Sequence, residues 1–368
     1  MPAHRIVIAL GVAALVGGCH DRSSGGDPLA RSVAGVDAAT GASASGAPTS
    51  PGNARVVDLL TKALACGWGD DGPALECDAA RAWREARDVF EGGREDAPLV
   101  DVLARSDDRA RYLAAQNLAV FGERYRTDKA LATRVVLAAE REKSVRVAES
   151  LGEAVAKVDV DATDLFDRVR AMAMNHDLLP LRSALAASLA EHNPASGPSF
   201  TLTLDLLRDR DEEVRVAAIG ALWMCENRHP VEACGAWREH IDDADDDDLA
   251  SRACDYLSWS GHCQDAIDAL LDSEERRFKA GKTSEALFAK ALANICEDVK
   301  TTRTQKERAT DLVRSMAQQA STPRPARGGA LAAVLRCDTA NGRAFVARFA
   351  NDSDPFIQAR TRDLLRPP

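Results

Sequence analysis

The stretch Val214-Arg215-Val216-Ala217-Ala218-Ile219-Gly220-Ala221-Leu222 decides the fold. An apolar residue precedes an Arg, small residues stand four and seven positions after the first, and a large apolar residue stands at eight. Those offsets fall on one stripe of an α-helix, so the segment is predicted to be an amphipathic helix with a close-packing face. Copies begin at Ala110 (Arg111, Ala114, Leu118), Val145 (Arg146), Leu181 (Arg182, Leu185, Leu189), Ser251 (Arg252, Trp259), Leu287 (Ala291, Ile295), Ala326 (Arg327, Ala330, Ala333, Val334) and Ile357 (Leu364, Leu365). The intervals are 35, 36, 33, 37, 36, 39 and 31 residues, a mean near 35.

A second amphipathic stretch lies before each later copy: Lys129 to Glu140, Thr163 to Met174, Phe200 to Leu207, Val231 to Ile241, Gln264 to Arg277, Lys306 to Ala320 and Arg343 to Phe349. Two helices per period form a hairpin that cannot bury its apolar flank alone, so neighbours must stack. The predicted class is all-α, an α-α superhelix of about eight hairpins. The pattern resembles HEAT repeats, including the short bacterial variety, over residues about 97 to 366. In that family an Asp precedes the Arg by six residues. Asp209 precedes Arg215 and Asp246 precedes Arg252 at that spacing, as Asp352 precedes Gln358 and Glu140 precedes Arg146. Phe288 and Gln358 replace the Arg, the Val145 copy is degenerate, and Arg105 stands where Arg111 would want an Asp. An Asp and Arg ladder satisfies exposed turn backbone through charge-assisted hydrogen bonds, which makes these charges structural.

Outward from the array, residues 53–96 read as an N-terminal hairpin cap, with Asn53 and Asp78 placed as N-caps and Cys66 and Cys77 at the bend. Residues 19–52 are rich in Gly, Ala, Ser, Asp, Thr and Pro without apolar period, a composition that cannot bury enough surface to fold. As a tether this segment would reach roughly 30 Å. Residues 1–18 combine a basic start (His4, Arg5), an apolar run from Ile6 to Val16 and the pair Gly17 and Gly18, the layout of a secretory signal peptide too short to stay as a membrane span. Val16-Gly17-Gly18-Cys19 resembles the lipobox of bacterial lipoproteins, which implies acylation of Cys19. The other reading is a plain secretory signal cut nearby. His20 is not the Asp that marks inner-membrane retention in some bacteria, so the resemblance implies the outer membrane, periplasmic face, within the cell envelope.

Removing residues 1–18 takes away only Arg5 and leaves 46 basic and 57 acidic side chains, a net charge of −11. That balance argues against nucleic acid or an anionic membrane face as partner. Aromatic residues make up 5%, while Ala, Leu, Val, Arg, Asp and Glu dominate, a helix-forming composition.

Nine Cys less Cys19 leave eight, and an even number in an exported chain suggests four disulfides. Spacing suggests Cys66 with Cys77, Cys225 with Cys234, Cys254 with Cys263, and Cys296 with Cys337, although spacing alone does not fix connectivity. Cys225, His229, Cys234, His240, Cys254, His262 and Cys263 match no compact zinc-ligand pair such as C-x₂-C, and oxidising compartments favour disulfides.

Reactive motifs are scarce. Gly281-Lys282-Thr283 resembles the tail of a phosphate loop, but Arg276 occupies the position of the required upstream Gly. The run Asp242-Asp243-Ala244-Asp245-Asp246-Asp247-Asp248 invites a calcium reading, yet an EF-hand register from Asp243 puts Asp248 at the turn Gly and Cys254 at the bidentate Glu. A solvated turn explains it, and an irregular Ca²⁺ or small-ligand site is the alternative. There is no G-x-S-x-G and no H-E-x-x-H, and His20, His176, His192, His229, His240 and His262 are scattered. A hydrolase assembled across distant repeats is the third reading. Trp223, Trp237 and Trp259 fall close together beside the acidic run, and aromatics are enriched at binding hot spots, so they mark a candidate partner-binding patch; core packing is the competing reading. The expectation is a non-catalytic, lipid-anchored scaffold for an unidentified protein partner, with no cofactor and no resident metal.

Overall fold

The computed structural model describes residues 51–69, 72–74, 76–86, 96–193, 197–243, 247–282 and 286–366. The expected signal peptide, Cys19 and almost all of the expected tether lie outside the described residues, as do Val89 and Phe90 of the expected cap.

Helix α1 (Pro51–Leu64) and α2 (Asp78–Glu85) form the cap, joined by a two-residue antiparallel pair, β1 (Trp68–Gly69) and β2 (Gly72–Pro73). The helix begins at Pro51, not Asn53, because Pro fits the first turn, where no N–H is needed. Cys77, not Asp78, is the residue flanking α2, and Asp78 instead pairs with Arg81. Cys66 is bonded to Cys77 across the bend.

Eight hairpins follow among the described residues. Their first helices are α3 (Asp96–Val102), α6 (Lys129–Arg141), α9 (Phe166–Asn175) and α11 (Gly197–Leu206) in the first half. In the second half they are α13 (Pro230–His240), α15 (Ile267–Lys279), α17 (Arg303–Gln318) and α19 (Gly342–Ala347). The matching second helices are α4 (Asp108–Phe121), α7 (Val145–Ala156), α10 (Leu179–His192) and α12 (Glu212–Cys225). They continue as α14 (Asp247–Trp259), α16 (Ala286–Glu297), α18 (Arg324–Cys337) and α20 (Pro355–Leu365). Single-turn helices α5 (Arg124–Thr127) and α8 (Val160–Thr163) lie in connections. Each second helix packs on the next in chain order, and the second helices pack more intimately than the first. The molecule is therefore an all-α superhelix, with the cap docked on α3 and α4.

The small residues make that stacking possible. Ala148, Ala154, Ala184, Ala186, Ala218, Ala253 and Ala289 are buried together with Leu151, Leu185, Leu222 and Leu257. Each fully buried Leu contributes roughly 1.5–3 kcal/mol through removal from water. Helix starts are set locally: Asp107, Asp128, Asp159 and Asp354 accept backbone N–H groups as caps, and Thr302 with Gln305 forms a reciprocal capping box.

The Arg ladder runs between repeats. Arg111 bonds the carbonyls of Arg105 and Ser106 in its own turn and grips Glu142 of the next repeat at 2.8 and 2.9 Å. Arg182, buried, joins the Ala173 carbonyl to Asp209 and to Asp211 at 2.6 Å. Arg327 holds the Ala317 carbonyl and both oxygens of Asp352. The expected Glu140 and Arg146 relation is not formed: Glu140 bonds Arg168, whereas Arg146 bonds the Gly69 carbonyl. Asp246 lies outside the described residues. Where Phe288 replaces the Arg, Arg277 from α15 bonds the Ile241 and Asp243 carbonyls, its guanidinium 5.1 Å from the Phe288 ring centre. Gln358 bonds the Asp352 carbonyl.

Two expected disulfides are corrected. The bond is Cys234 to Cys263, and Cys225 and Cys254 are buried free thiols. Antiparallel α13 and α14 bring the start of one beside the end of the other, which overrides the shorter loops expected from spacing. Cys296 and Cys337 are bonded, joining the ends of α16 and α18.

Candidate functional site

The second helices present side chains that do not enter the core, and the aromatic ones gather on α12 and α14. On α12 the core stripe is Val214, Ala218, Ile219, Leu222 and Cys225, which leaves Trp223 one position off it and 36% exposed. On α14, Leu257 is buried while Trp259 is 54% exposed. Tyr256 bridges the helices: its ring lies 5.9 Å from Trp223 and 5.8 Å from Trp237, near parallel to each. Burial raises the Tyr256 phenol above its ordinary range, so it stays protonated and polar-tipped.

Trp237 is not part of the expected patch. It is fully buried on α13, continuing the stripe Ala233, Trp237, Ile241, and its indole N–H donates to the Ile219 carbonyl at 3.2 Å. Its role is to wedge α12 against α14, so it is unavailable to a partner. Tyr256, which sequence reading passed over, takes its place on the surface; it stands four residues after Arg252, next to the core position Leu257.

Beyond Trp259 the face becomes polar and interlocked. The Lys290 ammonium lies 5.8 Å from the Trp259 ring centre and 2.7 Å from the Asp255 carboxylate. Asn294 donates to Ser258 at 2.9 Å and accepts from Arg336 at 3.0 Å. Arg336 also pairs with both oxygens of Glu297, whose acid is thereby lowered. This series of partners fixes the long side chains, so a ligand meeting the face would lose little rotamer freedom.

The other candidate chemistry is placed as follows. Burial pushes the Cys225 thiol up to about 11 and the Cys254 thiol upward as well, which makes both poor nucleophiles. His192 is lowered to about 4 by burial and by Lys157 and Arg126, so it is neutral at pH 7. His229 stacks on Phe200, His176 accepts the Leu178 N–H, and His262 faces Asn227. Among the described residues no three His, Cys, Asp or Glu side chains converge as metal ligands. Asp242 is engaged by Ser273 at 2.7 Å and Arg276 at 2.6 Å, while Ala244, Asp245 and Asp246 lie outside the described residues. Gly281 has φ +69° and ends α15 as a left-handed turn. Gly328 admits the Phe356 ring: a Cβ there would meet it at 3.0 Å.

No protein-family model matches the chain. No curated protein matches it either. Among solved structures it is similar to Kap121p bound to Pho4p, with a TM-score of 0.54 and 12% identity over 86% of this chain and 41% of that one. It is also similar to Kap121p bound to Ste12p, with a TM-score of 0.53 and 12% identity over 85% of this chain and 40% of that one. The chain thus spans about two fifths of the length of these proteins, and the likeness is one of fold: a helical repeat solenoid.

Proposed function

We propose that this chain is a non-catalytic, protein-binding scaffold of a bacterial cell envelope, docking its partner along the second-helix face. One observation carries the reading: Trp223, Tyr256 and Trp259 stand partly exposed on consecutive second helices, with Lys290 over the Trp259 ring. Partly exposed aromatics with a fixed polar rim are what protein interfaces use as anchors. The solved solenoids of like fold are themselves described in complex with proteins, Pho4p and Ste12p, which is in keeping with this use of the surface.

The envelope placement rests on the tetrad ending in Cys19 and on the fold-poor composition of residues 19–52, which together suit a lipid anchor and a tether at the outer membrane. The acidic balance keeps nucleic acid out of the proposal.

The test is crosslinking in native cells with the Trp223→Ala/Trp259→Ala pair compared with the unaltered chain. A protein captured by the latter and lost from the former supports the docking face, provided thermal unfolding of the two coincides. Capture that survives the double substitution removes it. Labelling with radioactive palmitate, abolished by Cys19→Ser, tests the anchor separately.

A further inference from the structure

Where the C-terminal ends of α3 and α6 meet the turns that follow them lies a cleft of about 470 Å³. Its floor is apolar, made by Val100 of α3 and Leu103 just past its end with Leu137 and Ala138 of α6. Its rim is cationic: Arg105, Arg141 and Lys143 line it with exposed side chains. Among the described residues no carboxylate pairs with Arg105 or Arg141, Lys143 has only the exposed Asp177 at 3.9 Å, and Arg134, which also lines the cleft, is taken up by Asp101 at 2.5 Å. One wall is rigid, because Arg111 is clamped between the Arg105 and Ser106 carbonyls and the buried Glu142.

Uncompensated cations around a recessed apolar floor, in a chain whose acidic residues outnumber its basic ones by ten, define what fits there. We propose that this cleft binds an acidic peptide segment of a partner protein, one large apolar side chain seated on Leu103 and Leu137 and flanking carboxylates held by Arg105 and Arg141. Guanidinium pairs suit planar carboxylates, and the methylene stems of both Arg extend the apolar wall. The volume falls in the range of roughly 300–1,000 Å³ that preformed sites occupy. A flat anionic bilayer would meet the rim and leave the recessed floor empty. The inference names a partner chemistry on a surface separate from the aromatic face, so each stands or falls alone.

The experiment is fluorescence polarisation of a labelled acidic hexapeptide with a central Leu-Phe pair, titrated with the whole chain. Three comparison probes are used: the same peptide with Ala-Ala at its centre, a Lys-for-Asp/Glu version, and vesicles of phosphatidylglycerol. Expected are binding of the first alone, weakening by about tenfold or more in Arg105→Glu/Arg141→Glu, and weakening on raising salt. Leu137→Ala should weaken it without altering the charge of the cleft, and Trp223→Ala/Trp259→Ala should leave it unchanged. Equal binding of the basic or Ala-centred peptide, unaltered binding by the double Arg variant, no binding of the acidic peptide, or Arg-dependent binding of vesicles alone would each overturn the proposal.

Discussion

Repeats two and three and repeats four and five reach the same stacking by opposite means. Between α7 and α10 the backbones nearly touch: a Cβ on Gly152 would stand 2.8 Å from the Leu181 carbonyl oxygen and 2.9 Å from the Ala184 Cβ. Between α12 and α14 the gap is filled instead, by Trp237 and by Tyr256 against Gly220. The first interface tolerates no added atom and the second no removed one. A solenoid pitch is thus a property of the summed side-chain volume between helices and not of any one residue type.

The largest expected effect breaks the filled interface. Trp237→Ala should cost about 3–5 kcal/mol in denaturant unfolding, because the cavity is walled by stacked helices that cannot close on it. Next comes a pH effect peculiar to this half. Glu274 on α15 is fully buried, and burial pushes its acid up to about 8, opposed in part by the Cys254 thiol and by Arg277. A carboxyl raised in the folded state is stabilising at acid pH, and that stability is lost as pH climbs from the ordinary carboxyl range toward 8, by up to roughly 1.4 kcal/mol per pH unit. Thermal unfolding between pH 5 and 9 should show this slope, and Glu274→Gln should flatten it. In the close-packed half, Gly152→Ala should destabilise by about 1–3 kcal/mol through overpacking. Gly220→Ala, where the neighbour is a movable hydroxyl at 3.2 Å, should cost less, and a cost equal to that of Gly152→Ala would erase the distinction. The smallest effect is Trp259→Ala, within about 0.5 kcal/mol because the side chain is half exposed.

The repeat was legible because most of its second helices carry an apolar and small-residue stripe beside an Arg, and packing against like neighbours enforces that stripe. Trp237 could have been assigned to the core from the same rule, since Ala233, Trp237 and Ile241 recur at intervals of four, whereas Trp223 and Trp259 each sit one place off their stripe. Cysteine pairing was only partly legible. Cys66 and Cys77 flank one bend, but Cys234 finds Cys263 through antiparallel geometry that loop length does not encode. The cationic cleft was hidden, because Arg105 follows α3 while Arg141 and Lys143 stand at and just past the end of α6, a neighbourhood that arises only when repeats stack.

The covalent crosslinks described above are unevenly placed: α13 onward carries two, while among the described residues no crosslink joins the helices from α3 through α12. Under tension applied at both ends, the unlinked half would lengthen first, repeat by repeat, and act as a soft spring in series with a stiff one. The aromatic face straddles the seam between these two compliances, so a partner gripping Trp223 and Trp259 would feel a load before the stiffer half yields.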